Sequence, residues 1–396
     1  MNDTPRQRRG VSSGAAFLMA VSAIGPGFLT QTTQFTFQFG ASLAFAILVS
    51  LVIDIGGQLN TWRVIAVSGK RGNEVADAVL PGLGWVITAV VIVGSFIFNL
   101  GNLSGCALAL NALLGWPMPV GATLSALLAV VLFLLPRMLT AVDWFAKVLG
   151  IGMIVMTCYM LFVTAPPIGE AARHALTPTL NTAFPAVTLV GGTIGGYIMF
   201  SGAHRLLDGG ISGVEQLPAI TWASVQGILI TGVMRVVVFL AVLGVTQTGV
   251  QLSPTTPVFD AFRAAAGNLG FLLAGSIFWA AAITSVVGCG YTSISFLRLS
   301  ERERLRAGLI IGFIIASLTV TLALQLAELR ATTLLIGAAT INGVLMPVTL
   351  GTILLAAYRR SLMGEYRQPA WATAFGLVAW VGTVGLAGVL LYPLLT

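Results

Sequence analysis

The chain has 396 residues, of which 57% are hydrophobic and 8% are Asp, Glu, Lys or Arg. Soluble globular domains carry about 25% charged residues, so this composition excludes a soluble enzyme or soluble binding module and predicts a polytopic membrane protein. The formal net charge of +7 does not indicate nucleic-acid binding, because most basic residues lie in short loops between apolar segments. That distribution is typical of membrane orientation signals.

Runs of about 20 apolar residues predict helices that cross the bilayer. The connections between them are short, so residues 1–396 are expected to form one membrane domain without a soluble portion. In chain order, the eleven predicted spans are residues 13–38, 40–66, 82–114, 118–136, 145–165, 184–205, 219–247, 257–297, 306–327, 332–358 and 370–394.

Basic residues are unequally divided between the two sides that these spans define. If the N-terminus is cytoplasmic, the outer loops contain only Arg173, Arg263 and Arg330, and the other loop Lys and Arg residues lie inside. Because cytoplasmic loops are enriched in Lys and Arg, we expect a multi-pass protein of the bacterial inner membrane with a cytoplasmic N-terminus.

Other sequence signals are negative. Cys106, Cys158 and Cys289 lie in apolar runs without CxxC spacing, so neither a disulfide nor a metal cluster is predicted. No nucleotide-binding loop is present, and no span contains a Ser/His, Asp/Asp or HExxH arrangement. We therefore expect no cofactor, no ATP-driven transport and no enzymatic activity.

The first apolar run contains a predicted helix break. Gly25-Pro26-Gly27 falls near the middle of the bilayer, where a proline between glycines lacks a backbone donor and gives the chain excess freedom. Broken backbone is tolerated in lipid only where protein or water supplies hydrogen-bond partners. A polar run that includes Thr30, Gln31 and Gln34 follows at once, so the break indicates a binding site.

A second break is predicted at Gly195-Gly196, about 170 residues later and directly before Tyr197. Interrupted segments at matching positions in two halves indicate the midplane site of an inverted-repeat transporter. Glycines also allow membrane helices to pack closely. Close packing explains Gly191-Gly192, but it does not explain a proline between glycines.

Three ionisable side chains are candidates for coupling or gating. Asp54 and Arg235 lie in the middle of the second and seventh spans, at corresponding positions, and ions within a membrane usually pair or serve transport. We expect an Asp54–Arg235 pair, which is either structural or opens when Asp54 takes up a proton. His204, beside Arg205 near the end of the sixth span, is either a solvated interfacial histidine or a pH-sensing gate.

Several stretches resemble the NRAMP divalent-metal transporters, and together they cover most of the chain. They are GPGFLTQTTQFTFQFG from Gly25, GCALALNALLG around Asn111, LVGGTIGGYIMF, and LMP…RRSLMGEY near Pro347 to Tyr366. The resemblance implies an all-α, LeuT-type fold with helices 1 and 6 unwound at the midplane. It also implies two inverted repeats of five helices, residues 13–165 and 184–358, and an additional helix at 370–394.

The chain departs from the family pattern where the family binds its metal. Gly25-Pro26-Gly27-Phe28 stands where the family has Asp-Pro-Gly-Asn, and Gly195-Gly196-Tyr197 stands where it has Met-Pro-His. Asn99 and Asn102 align with acidic residues thought to relay protons in the family. Dehydrating a divalent cation without a carboxylate is costly, and the thioether that favours transition metals is missing. We therefore predict no metal site.

A small organic carboxylate or amino-acid-like solute, for example a 5-oxoproline-like one, suits this pattern better. The glycines are expected to leave unoccupied volume at the centre of the site, and the N-termini of the half-helices favour anions. We expect a secondary transporter that imports this solute together with protons. The predicted substrate contacts are Gly25, Gly27, Phe28, Thr30, Gln31, Gln34, Asn99, Asn102, Gly195, Gly196, Tyr197 and Asn342.

Other interpretations stay open. A divalent metal (Mn, Fe or Mg) transporter could coordinate its ion through backbone carbonyls, water and side chains such as Gln31. A channel or non-transporting sensor is a third possibility, although a channel should show a continuous polar stripe and these polar residues cluster at the breaks. Asn99 and Asn102 could also simply bond across helices.

Overall fold

The computed structural model describes residues 24–178, 180–297 and 303–395. The regular structure within these ranges is helical, which confirms the predicted all-α class. In chain order the helices are α1 (Pro26–Phe39), α2 (Leu43–Ser68), α3 (Gly72–Val79), α4 (Leu83–Leu114), α5 (Met118–Leu134), α6 (Pro136–Thr164), α7 (Ile168–Ala175), α8 (Ala183–Thr193), α9 (Ile198–Asp208), α10 (Leu217–Gln247), α11 (Pro257–Ser295), α12 (Glu303–Leu326), α13 (Ala331–Ala356), α14 (Arg360–Met363) and α15 (Ala370–Leu395).

The predicted spans are all represented among these helices. In the described ranges, eight helical segments are long and apolar enough to cross a membrane, and the bent pair Gly150–Thr164 and Ile168–Ala175 adds a ninth. The segment Pro26–Ser68 contains two predicted spans, α1 and α2, because Gly40 leaves the helical conformation (φ 55°, ψ −138°). The shorter apolar helix α5 is another predicted span. Residues 13–23 of the first predicted span lie outside the described residues.

The broken sixth span lies at the centre of the helix bundle. In its most apolar window, 89% of the segment Ala183–Asp208 is buried, compared with 22% for Ala370–Tyr392 at the periphery. Helix α1 contacts α8, α10, α11 and α13, and α2 packs on α8, α9, α10 and α15. Both breaks are therefore enclosed by protein, as broken backbone in a membrane requires.

Small residues allow the central helices to approach closely. A Cβ atom on Gly191 of α8 would overlap the carbonyl oxygen of Ala339 and the backbone nitrogen of Gly343, both in α13. The predicted packing role of Gly191 is confirmed, since only glycine leaves room for this crossing.

Arginine side chains close one end of the bundle, which we call the basic end. Arg63 of α2 donates to Thr221 Oγ1 at 2.6 Å and to the Tyr366 hydroxyl, and its guanidinium carbon lies 5.7 Å from the ring centre of Trp371. Arg359 donates to the carbonyl oxygen of Val79 at 2.9 Å. These bonds fix the chain before α15 to α2 and α3. The opposite end of the bundle carries Arg330, the residue before α13, and we call it the Arg330 end.

Candidate functional site

The first break begins helix α1 inside the bundle. Gly25 is the N-cap residue with extended backbone (φ −95°, ψ −175°), and Pro26 occupies the first helical position, where its missing N–H costs nothing. The first N–H groups of a helix have no acceptor within that helix. The start of α1, from Gly27 to Phe28, therefore presents backbone donors and the positive end of the helix dipole to the interior.

The second break separates α8 from α9. Helix α8 ends at Thr193, α9 begins at Ile198, and Gly196 between them has a φ of +56°, which residues with a Cβ rarely adopt. The N–H of Ile198 bonds back to Gly195 O at 3.2 Å. The second predicted break is thus present and presents the N-terminus of α9 to the interior; at the first, the described residues show a helix that starts at Pro26, as the predicted break requires.

Gln31 lies between the two broken segments. A Cβ on Gly192 of α8 would lie 2.5 Å from the Gln31 Oε1, and one on Gly27 would lie 3.4 Å from its Nε2. The side chain is fully buried, and neither its oxygen nor its nitrogen has a hydrogen-bond partner within the described residues. A buried amide with four unused hydrogen-bonding positions is costly unless a ligand or water satisfies it.

Asn342 of α13 occupies the space beside the second break. Its Nδ2 donates to Gly94 O at 3.0 Å and to Ala338 O at 2.9 Å, whereas its Oδ1 is buried without a donor among the described residues. A Cβ on Gly196 would overlap this oxygen, and one on Gly195 would lie 2.9 Å from the Asn342 Cβ. The expectation of unoccupied volume is therefore wrong at Gly195 and Gly196, where the Gly191 backbone and the Asn342 amide fill the space.

Helix α4 brings two more predicted residues to the same region. Asn99 is fully buried, and neither of its amide atoms has a partner in the part of the chain that the structure describes. Asn102 donates to the Cys289 Sγ at 3.5 Å, which makes it a bridge between α4 and α11. The Tyr197 side chain also lies next to the Cys289 thiol, and its ring packs edge-on against Phe98 with the ring centres 5.9 Å apart. Sequence reasoning missed Cys289, since a single cysteine in an apolar run carries no signal.

The polar run of α1 serves different purposes along its length. The Thr32 hydroxyl donates to the carbonyl oxygen of Phe28 at 2.8 Å, a hydrogen bond within the helix. Thr30 and Thr33 are buried with hydroxyls that lack partners among the described residues.

Gln34 is half-buried and lines a cavity of about 460 Å³ at the Arg330 end. The lining is Gln34, Phe35, Gln38, Phe184, Pro254, Arg330, Thr332, Thr333, Ile336, Gly337, Thr340 and Ile341.

Asp54 and Arg235 are both buried next to the breaks, but they do not form the predicted ion pair. No nitrogen of Arg235 lies within 4.0 Å of an Asp54 oxygen, and the salt bridge seen within the described residues is Arg71–Asp208. Arg235 instead covers the Phe28 ring, and the Asp54 carboxylate has Thr193 as a neighbour. Arg235 contacts α1 through Phe28, and Asp54 lies beside α8 through Thr193. The two charged groups therefore interact only at longer range.

His204 is not solvated, so that interpretation of its position is wrong. Its ring is 1% exposed and lies 5.0 Å from the ring of Phe296. The Nε2 accepts the backbone N–H of Gly72 at 3.1 Å, and Nδ1 lies 3.4 Å from the Ser295 Oγ. His204 thus joins α9 to α3 and α11.

A second set of contacts closes the basic end directly beside His204. Asp208 accepts from Arg71 Nη2 at 2.5 Å and from the Tyr291 hydroxyl at 2.9 Å. Gly213 donates to the carbonyl oxygen of Ala66 at 2.7 Å. In this conformation α9 is therefore bonded to the other helices at the basic end, while the cavity lies at the Arg330 end.

Known proteins share this architecture. The family described as natural resistance-associated macrophage protein-like (Nramp) matches residues 16–393. The uncharacterized membrane protein YcsG of Bacillus subtilis is 48% identical over 366 residues, covering 92% of this chain and 89% of that protein. The divalent metal cation transporter MntH of Mesorhizobium japonicum is 24% identical over 395 residues, covering 93% of this chain and 85% of that protein.

Solved structures agree on the fold. The Eremococcus coleocola manganese transporter, crystallised with an aromatic bis-isothiourea compound, superposes with a TM-score of 0.73 at 15% identity over 98% of this chain and 87% of its own. The LeuT-type transporter MhsT in complex with L-phenylalanine superposes with a TM-score of 0.63 at 13% identity over 96% of this chain and 97% of its own. The chain therefore belongs to the Nramp family of membrane transporters, and its fold is of the LeuT type with a sixth span that is interrupted between Thr193 and Ile198.

Proposed function

We propose that the chain is a secondary active transporter that moves a small organic carboxylate or amino-acid-like solute by alternating access. One observation carries this proposal. Besides Asp54 and Arg235, the described side chains at the two breaks include amides and hydroxyls with unused hydrogen-bonding capacity, chiefly Gln31, Asn99 and the Oδ1 of Asn342. The N-terminus of α1 adds backbone donors, whereas at the start of α9 the N–H groups of Ile198 and Phe200 already bond to Gly195 O and Tyr197 O. Amide groups and backbone N–H donors suit a polar organic anion.

The same residues are poor ligands for a divalent cation. Within the described ranges, no three His, Cys, Asp or Glu side chains come together. Divalent cations in proteins are held by carboxylate, imidazole or thiolate groups, and a carboxylate offsets much of the dehydration cost. The relatives named MntH are about 24% identical to this chain, and at Gly25, Phe28 and Gly195 this chain lacks the side chains that would bind metal.

The fold itself is compatible with organic solutes. MhsT, which shares the architecture, was crystallised with L-phenylalanine, and the fold-sharing Eremococcus transporter is a manganese transporter. The architecture therefore serves both classes, and the side chains at the breaks decide between them. A divalent-metal transporter is the second candidate, favoured by the family and by the names of the MntH relatives.

The orientation in the membrane and the proton coupling of transport are inferred from the positions of charged residues. We place the basic end in the cytoplasm of a bacterial inner membrane, because Lys and Arg accumulate in cytoplasmic loops. The cavity at the Arg330 end then opens outward while the contacts of Asp208 close the inner side, an arrangement ready to take up solute from outside. Asp54 is buried beside the second break and is the residue we assign to proton coupling.

A thermal-shift screen of the purified full chain tests the substrate class. A ligand that binds only the folded state stabilises it in proportion to the logarithm of its concentration above Kd. We expect carboxylates, including 5-oxoproline and small amino acids, to raise the melting temperature and Mn²⁺ or Mg²⁺ to leave it unchanged. Stabilisation by micromolar Mn²⁺ without any effect of the acids would overturn the proposal in favour of the metal transporter.

An acid that stabilises the protein in this screen is then used in proteoliposome uptake, which tests whether transport is coupled to protons. Uptake driven by an inward proton gradient, and abolished by collapsing that gradient, is expected for the wild type. The Asp54→Asn variant should bind the acid but lose the dependence on the gradient. Gradient-driven uptake by this variant would assign the proton to another residue.

A further inference from the structure

Arg235 places a full positive charge at the first break. It lies in the middle of α10 with 2% of its surface exposed, and its guanidinium carbon is 4.6 Å from the centre of the Phe28 ring. Phe28 belongs to the first turn of α1, directly after the Gly25 N-cap. The positive end of the α1 dipole and the Arg235 charge therefore meet at the same place, and both favour an anion.

Most of the hydrogen-bonding capacity of this guanidinium is unused. Its one recorded hydrogen bond is a long one, from Nη1 to the Ser50 Oγ at 3.5 Å. Nε and Nη2 are buried and have no acceptor within the described residues, and no carboxylate oxygen there lies within 4.0 Å. Leaving a buried arginine unpaired is costly, and such residues in a membrane protein usually meet a counter-ion.

The two unused donors have a particular geometry. Nε and Nη2 form one edge of the planar guanidinium, where their N–H bonds run parallel and match the two oxygens of a carboxylate. The Phe28 ring lies under the guanidinium, as aromatic rings often do beneath arginine, so that in-plane donors remain available. This edge is built to receive a planar oxyanion.

Asp54 does not use this edge. It lies on α2 one helical turn after Ser50, is 1% exposed, and has an Oδ1 without a partner among the described residues. Its charge partly balances that of Arg235 at longer range, which keeps the guanidinium in the bundle without occupying its donors. With Asp54 ionised the two charges already sum to zero, so a bound carboxylate is balanced when Asp54 takes up the coupling proton.

We propose that the Nε and Nη2 edge of Arg235 binds the carboxylate group of the transported solute at the N-terminus of α1. This inference rests on the proposed function, since it names the residue that selects for a carboxylate. The backbone donors near Gly27 assist, and the amides of Gln31 and Asn99 contact the remainder of the solute. Arg235 is then the residue that distinguishes an acid from its uncharged amide.

The test compares each acid with its primary amide, using the purified full chain and the pairs 5-oxoproline and its amide, L-lactate and lactamide, and L-alanine and alaninamide. Wild-type protein is expected to bind at least one acid and to prefer it over its amide. If no acid binds, the proposed function fails and this inference fails with it. If an acid binds, the variants decide the inference alone.

Arg235→Gln should weaken binding of the acid by about 30-fold or more, because a charged partner is lost, and leave affinity for the amide within about twofold. Arg235→Lys is the matched control, because lysine retains the positive charge but lacks the two parallel N–H donors of the guanidinium. It should keep the preference for the acid with about tenfold weaker binding. An Arg235→Gln protein that still prefers the acid to the same degree overturns the inference.

A purely structural role for Arg235 is separated by neutralising both charges. The double variant Asp54→Asn with Arg235→Gln leaves no uncompensated buried charge, so it should keep the fold even where Arg235→Gln alone does not. We expect the double variant to melt close to the wild type and to lose the preference for the acid. Full recovery of that preference in the double variant would show that Arg235 serves only to balance Asp54.

Discussion

The side-chain oxygen of Asn342 fills the position where a Cβ atom on Gly196 would lie. Gly196 also has a φ of +56°. Gly196→Ala therefore forces a left-handed conformation and an overlap at once, and we expect it to cost roughly 2–4 kcal/mol of stability. The measurement is the melting temperature of the purified protein, with solute uptake as a second readout.

Two further variants separate the causes. Asn342→Ala combined with Gly196→Ala removes the overlap and leaves the backbone strain, so the double variant should lose less stability than the two single effects added together. Gly385→Ala is the matched control, because a Cβ there meets no atom within 4 Å and the residue lies within α15. A Gly196→Ala protein as stable as Gly385→Ala would contradict the proposed packing.

Local backbone chemistry made both breaks predictable from sequence. Gly25-Pro26-Gly27 and Gly195-Gly196 disfavour a continuous helix for reasons contained within a few residues, and the structure has a helix start at Pro26 and an interruption between Thr193 and Ile198. Features that depend on which helices meet were not predictable in the same way. The amide of Asn342 fills the space at Gly196 from a helix almost 150 residues away, and no periodicity shows that.

The two charged residues illustrate the same limit. The sequence placed Asp54 and Arg235 in the middle of the second and seventh spans, and in the structure α2 packs on α10. It could not show that Arg235 lies over the Phe28 ring or that Thr193 lies next to Asp54. A small rotation of a helix moves a side chain by a few ångströms, and that decides between an ion pair and two separate contacts. His204 was misjudged for a related reason, since α3 and α11 cover it.

His204 provides a second prediction, in which its two ring nitrogens differ. Nε2 is a buried acceptor for the Gly72 N–H at 3.1 Å, so His204→Leu leaves that donor unsatisfied and should cost about 1–3 kcal/mol. On the other side, Nδ1 carries the ring proton and faces the Ser295 Oγ across a longer contact of 3.4 Å, while the Ser295 hydroxyl donates to Thr292 O at 2.6 Å. Ser295→Ala should therefore change the melting temperature much less. Equal losses in the two variants would argue against the Gly72 bond as the main contribution.

Asp208 provides a third prediction, which concerns the closure of the basic end. Its carboxylate holds Arg71 and Tyr291 to α9, and Asp208→Asn removes the ion pair. Both partners of the pair are about one-third exposed, so we expect a loss of up to about 1 kcal/mol, which corresponds to roughly a fivefold shift toward the open state. The readout is the rate at which N-ethylmaleimide labels Cys289, with Cys106 and Cys158 replaced by serine.

The control for this experiment removes a carboxylate at the opposite end. Asp260 accepts from the Ser253 N–H at 3.0 Å in the loop before α11, on the Arg330 side. Asp260→Asn should leave the labelling rate of Cys289 unchanged. Faster labelling in both variants would mean that it reports general loosening and not opening of the basic end.

The last prediction is that restoring the family's metal-binding side chains at the first break will not restore tight metal binding while Arg235 is present. Gly25→Asp with Phe28→Asn reintroduces the carboxylate and amide that the family carries at the first break, and the extended backbone of Gly25 accepts an aspartate as N-cap. The Arg235 guanidinium would remain beside this site. Two unit charges 4 Å apart interact by about 4 kcal/mol at an effective dielectric constant of about 20, and a divalent ion doubles that repulsion. Asp54 offsets part of it from a longer range, so the net repulsion is smaller.

We therefore expect the double variant to bind Mn²⁺ at least about tenfold more weakly than a triple variant that adds Arg235→Gln, as measured by isothermal titration. A triple variant with Gly25→Asn in place of Gly25→Asp controls for polarity without charge, and it should bind Mn²⁺ more weakly than the aspartate form. Equal Mn²⁺ affinity with and without Arg235→Gln would mean that the charge of Arg235 does not reach the break. In that case the preference against metal would rest on the missing ligands alone, and the selection of carboxylates would need another residue.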